Sequence, residues 1–112
     1  MKEAQALTRR EQYTRVYQQG RAWANSLVVM KAAPNPLGLS RYGFSVTKRV
    51  GKAVQRNRLK RLLREIMRLQ SLKPGWDIVF IARSAAVDVD YHQLDDAVTE
   101  LLTRAQLREK EE

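Results

Sequence analysis

Between Ala53 and Gln70 the chain spells out a helix with two unlike sides. At about 100° per residue, Leu59, Leu62, Leu63, Ile66 and Leu69 gather on one side, and Arg56, Asn57, Lys60, Arg61, Arg64 and Arg68 on the other. The apolar stripe obliges the helix to dock on another element, and the opposite side must then face outward. That outward side carries almost no acid. Between Arg41 and Arg68 stand ten basic residues and one acid, Glu65, a local charge of +9 that equals the net charge of all 112 residues. A solvated helix face normally mixes its signs and forms i,i+4 pairs. A face of one sign repels itself until a polyanion covers it, so this one reads as a phosphate-binding surface.

The length allows one domain, residues 1–112, with a single modest core. A total of 21 basic against 12 acidic residues leaves nucleic acid and anionic membrane as candidate partners. No apolar run approaches the ~20 residues of a membrane span, and no signal-peptide core opens the chain. The chain has no cysteine, which excludes disulfides and thiolate metal sites and fits a cytoplasmic location. Residues 69–112 hold five basic and nine acidic residues, so this part should face away from the polyanion, with 109–112 as a frayed tail.

The remaining elements follow from punctuation and period. Residues 7–19 read as a first helix, with Thr8 as N-cap, Glu11 as its capping-box partner and Gly20 as the stop. Residues 21–25 are a connector or a short edge strand. Residues 26–33 and 39–46 read as strands, and the short turn around Pro34, Asn35, Pro36 and Gly38 predicts antiparallel neighbours. A basic loop, 47–52, feeds the amphipathic helix, which stops before Lys73, Pro74 and Gly75. Residues 76–82 form a third, apolar and therefore central strand. Asp90 caps a last helix from Tyr91 to about Arg108, with Leu94, Val98, Leu101 and Leu102 inward. Helix, strand, strand, helix, strand, helix is the order of an α+β fold, a small sheet with helices packed on it.

Catalytic groups are scarce. His92 is the only histidine, and Asp88, Asp90, Asp95 and Asp96 read more simply as a helix start than as a magnesium site. No glycine-rich phosphate loop occurs. No residue is assigned a catalytic or metal-binding role. Tyr13 and Tyr17 lie one turn apart; they are either core or a platform for unpaired bases.

The run from Gly43 to Glu65, GFSVTKRVGKAVQRNRLKRLLRE, resembles the signature of the bacterial ribonuclease P protein subunit, with Arg56-Asn57-Arg58 at its centre. The likeness extends to the opening helix with two aromatics, the strand pair, the strand at 76–82 followed by Arg83, and the closing helix. The resemblance implies a ribosomal-protein-like two-layer sandwich with a left-handed strand–helix–strand crossover, against the right-handed form usual in about 98% of such connections.

It also implies a division of labour. The catalytic RNA performs magnesium-assisted removal of the 5′ leader of precursor tRNA, with Mg2+ held mainly by RNA and substrate and none bound firmly by the protein alone. The protein binds that RNA and the single-stranded leader. By position, Thr47, Lys48, Arg49, Lys52, Arg56, Asn57, Arg58, Lys60, Arg61, Arg64 and Arg68 would meet the catalytic RNA. Tyr13 and Tyr17 would meet the leader, with Lys31 where some members carry an aromatic; Arg9 and Arg10 are weaker phosphate candidates. No membrane and no obligate protein partner are implied. The competing expectation is a structural RNA-binding protein of ribosomal type with no role in processing.

Overall fold

In the computed structural model, residues 4–109 are described. Their strands are β1 (Gln5–Ala6), β2 (Arg21–Ala24), β3 (Val28–Pro34), β4 (Arg41–Ser45) and β5 (Trp76–Ala82); their α-helices are α1 (Arg10–Gln19), α2 (Ala53–Arg68) and α3 (Tyr91–Arg104). One mixed sheet joins all five strands in the order β1-β4-β5-β3-β2. β5 is central, as its apolar run requires. It runs antiparallel to β3 from Val28↔Ala82 to Pro34↔Trp76, and parallel to β4 from Arg41↔Asp77 to Ser45↔Ile81. The parallel pair β4–β5, joined through α2, is the expected strand–helix–strand unit.

The hairpin expected of β3 and β4 does not form, because β5 inserts between them. The connection at residues 35–40 has to cross two strand spacings, about 10 Å, which six residues span easily. β5 takes the middle position because Ile78, Val79 and Phe80 are all fully buried and need cover on both faces.

Alternation along β5 divides the core. Ile78 and Phe80 face α2 and α3, where Leu59, Leu63, Ile66 and Met67 meet Leu94, Val98, Leu101 and Leu102. Truncating one of these leucines to alanine removes about 2–5 kcal/mol by the usual cost of a core cavity. Val79 and Ile81 face the other way, where α1 contributes Leu7's neighbour Val16 and the inner side of Tyr13. α1 thus adds partial cover on the second face of the sheet.

The strands expected at 26–33 and 39–46 run instead over Val28–Pro34 and Arg41–Ser45, and three helix boundaries differ from the sequence expectation. α1 begins later, at Arg10, because Leu7 is drawn into the core at the end of β1, its N–H donating to the Tyr42 carbonyl at 2.8 Å. The helix start is closed by Gln12 rather than by Thr8 and Glu11: Gln12 Oε1 accepts from the N–H groups of Thr8 (2.8 Å) and Arg9 (2.9 Å). Leu69 is 62% exposed, since α2 ends at Arg68 and Met67 completes the stripe instead.

α3 stops at Arg104, short of Arg108. Gln106 takes φ 60°, and the Leu107 N–H returns to the Leu102 carbonyl at 2.9 Å, closing the helix with a Schellman turn. Asp90 caps this helix as expected, accepting from the Gln93 N–H at 2.8 Å. Of the expected tail, Glu109 donates its N–H to Ser71 at 2.9 Å and belongs to the fold; 110–112 lie outside the described residues.

Candidate nucleic-acid interface

The loop at 47–52 and the outward side of α2 form one surface. Thr47, Lys48, Arg49, Lys52, Asn57, Arg61, Arg64 and Arg68 are exposed, and Arg56, Arg58 and Lys60 are half-buried. Two of these arginines spend a donor on a backbone carbonyl. Arg56 Nη1 donates to the Gly51 carbonyl at 2.7 Å, and Arg58 Nη2 to the Val89 carbonyl at 3.1 Å. Neither bond neutralises the charge.

Of the ten bases between Arg41 and Arg68, two are paired with acids. Arg41 binds Asp77, and Arg68 holds Glu65 at 2.6 Å, which keeps that carboxyl below its usual range through the hydrogen bond first and the charge second. The other eight have no acid partner among the described residues. Val54, 81% exposed at the start of α2, adds an apolar point that charge counting overlooks.

On the opposite face of the sheet, α1 packs on β3 and β5 and sets Tyr17 beside Lys31. The Tyr13 and Tyr17 rings stand 6.5 Å apart, tilted by 49°. Their environments differ. Tyr13 lies against Gly43, where a Cβ would fall 2.2 Å from its hydroxyl; only glycine leaves room for the ring there. Burial pushes the Tyr13 hydroxyl up in pKa, the Phe44 backbone opposes this, and Tyr17 adds a smaller upward push. Tyr17 is 38% exposed, and Lys31 Nζ sits 5.7 Å from its ring centre. The core and platform readings are thus divided: Tyr13 anchors, while Tyr17 offers a ring to solvent beside a cation.

A polar cluster under α1 escaped the sequence reading. Asp77 is fully buried in β5. Arg41 grips it with both ends of its fork (Nε–Oδ1 2.8 Å, Nη2–Oδ2 2.6 Å), Asn35 donates to Oδ1 at 2.8 Å, and Arg15 donates to Oδ2 at 3.1 Å. Arg15 also donates to the Pro34 carbonyl. Burial pushes the Asp77 carboxyl upward, but the hydrogen bonds from Arg41 and Asn35 and the charges of Arg41 and Arg15 outweigh it, leaving the carboxyl below its usual range. The available signal was a lone acid in an otherwise apolar strand, which demands a partner.

Two of the four acids near α3 are spent locally. Asp90 caps the helix, and Asp95 accepts from Thr99 Oγ1 at 3.3 Å. Among the described residues, no three His, Cys, Asp or Glu side chains are grouped to hold a metal ion. None of the described helices is long and apolar enough to cross a membrane.

A helix face of nearly one sign set on a mixed sheet points to the class: a nucleic-acid-binding protein. Comparison with known proteins gives the particular family. A family model described as Ribonuclease P matches residues 1–106. A ribonuclease P protein component from Dehalococcoides mccartyi is 53% identical over 110 residues, covering 98% of this chain and 92% of the relative. One from Caldanaerobacter subterraneus is 42% identical, covering 95% and 93%. The solved RNase P protein of Staphylococcus aureus superposes with a TM-score of 0.85 at 29% identity, covering 93% of this chain and 97% of that one. That of Thermotoga maritima gives 0.81 at 31% identity, covering 88% and 96%. The chain belongs to the ribonuclease P protein family. Its function is that of a protein subunit of this tRNA-processing endoribonuclease, in partnership with the RNA subunit; the ribosomal-type alternative is not favoured.

Proposed function

We propose that the protein lays the 47–52 loop and the outward side of α2 on the catalytic RNA, and receives the single-stranded 5′ leader of precursor tRNA on the surface where Tyr17 of α1 meets Lys31 of β3. Thr47, Lys48, Arg49, Lys52, Asn57, Lys60, Arg61 and Arg64 meet RNA phosphates and sugars, with Arg56 and Arg58 adding charge from partly anchored positions. Tyr17 stacks a leader base, and Lys31 supplies a cation beside it. Tyr13 fixes the position of Tyr17 from below. Hydrolysis belongs to the RNA, which with its substrate holds the magnesium that the reaction uses. The location that suits these partners is the cytoplasm.

One observation carries this reading: eight cations on one continuous surface without a carboxylate partner among the described residues. Such a surface binds a polyanion with strong salt dependence. The test is reconstitution with the cognate catalytic RNA, comparing precursor tRNA with mature tRNA. The reconstituted complex should bind the precursor more tightly, and the protein alone should leave the precursor uncut in magnesium. Equal affinity for the two tRNAs would remove the leader from the account.

A further inference from the structure

A pocket of about 320 Å3 opens at the edge of the sheet, between β1 and the outward side of α2. Leu7, Tyr13, Tyr42 and Phe44 give it an apolar and aromatic wall, and Lys60 and Arg64 stand at its mouth. Its size falls at the lower end of small-ligand sites, which suits one nucleotide. The Tyr42 and Phe44 rings are 5.7 Å apart and tilted by 49°, and both are half-buried rather than enclosed.

β1 pairs only with Arg41 and Tyr42 and ends at Ala6, so β4 beyond Tyr42 has no outer neighbour. The Tyr42 carbonyl points outward, since it accepts from Leu7 N–H at 2.8 Å. The Phe44 backbone, two residues on, is met by the Tyr13 hydroxyl. The pocket therefore combines a π surface for a base with two cations for its phosphate.

We infer that this pocket captures the base of one unpaired nucleotide of the catalytic RNA, with its phosphate on Lys60 and Arg64. The inference rests on the RNA-facing role of α2 proposed above. The catalytic RNA is the source, rather than the leader, because both cations belong to the α2 face and because Tyr13, lying on Gly43, separates the pocket from Tyr17.

Two variants test it with the full-length protein and the cognate catalytic RNA. Ala6→Trp plugs the pocket from its exposed rim, and Tyr42→Leu removes the π surface while keeping bulk. Each should weaken binding of the catalytic RNA about tenfold with an unchanged salt slope, as loss of a stacked base does. Base-specific chemical probing should show one RNA base protected by wild type and reactive with either variant, while thermal melting of Ala6→Trp stays at the wild-type value. Wild-type affinity and protection in Ala6→Trp would overturn the pocket. Unchanged catalytic-RNA binding combined with reduced preference for precursor over mature tRNA would assign the base to the leader and equally overturn it. Absence of salt-dependent binding by wild type would instead defeat the reading of α2 itself.

Discussion

Arg41 and Arg64 carry the same guanidinium to opposite ends. Arg41 is clamped on a fully buried carboxylate, with Arg15 and Asn35 completing the cluster between α1, the 35–40 connection and the sheet. Arg64 stands on α2 among cations, with no acid in reach among the described residues. The first region closes its charges inside the fold, and the second keeps its cations without acid partners among the described residues. What separates them is one acid: Asp77 lies inside the sheet, whereas the outward side of α2 has only Glu65, already held by Arg68. An arginine thus owes its role to the carboxylate that the fold brings beside it.

The largest effect should come from breaking the buried cluster. Asp77→Ala leaves Arg41 and part of Arg15 without a partner and should destabilise the protein by about 3–5 kcal/mol, read by denaturant melting. Catalytic-RNA affinity, measured at a temperature where the variant is folded, should stay within about twofold. A large affinity loss there would merge the two regions.

Acid should do gradually what that substitution does at once. The Asp77 carboxyl is held below its usual range, so its contribution is complete above the unfolded carboxylate pKa and is lost as pH falls through the lower folded value. Stability should therefore fall on acidification below about pH 4 in the wild type, and Asp77→Asn should show a shallower fall over the same window.

Tyr17→Ala comes next. It should weaken leader-bearing precursor by about 1–3 kcal/mol and leave mature tRNA unchanged, measured with the reconstituted complex. Equal losses for both would make Tyr17 a structural residue like Tyr13. Arg61→Ala and Arg64→Ala should each lower the salt slope of catalytic-RNA binding by about 0.7–0.9, with no change in melting temperature. The smallest effect is expected of Glu65→Gln, which frees Arg68. An exposed pair contributes about 0–1 kcal/mol, so stability should barely move while RNA affinity rises slightly.

Much of this was legible in the chain and some was not. The period of Leu59, Leu63 and Ile66, the Asp90 cap and the apolar run of β5 are local signals, and each led to an element in its place. The position of β5 between β3 and β4 is a long-range choice, made by the burial needs of Ile78, Val79 and Phe80, and a short turn next to Pro34 misdirects the eye toward a hairpin. β1, two residues long, gives no periodic signal at all.

The site divides along the same line. Charge on α2 can be counted from the sequence, because it needs only the absence of nearby acids. Whether Tyr13 or Tyr17 is exposed depends on Gly43 and Lys31, each from another strand, and no spacing within α1 encodes them.

The central place of β5 has a consequence for biosynthesis. Both of its neighbours, β3 and β4, leave the ribosome first and must wait for residues 76–82 before either gains a partner along that edge. The cationic helix lies between β4 and β5 in the chain, so it emerges before its docking surface is assembled. A chain ending just short of Trp76 would leave one edge of β3 and one edge of β4 unpaired and its cationic helix undocked.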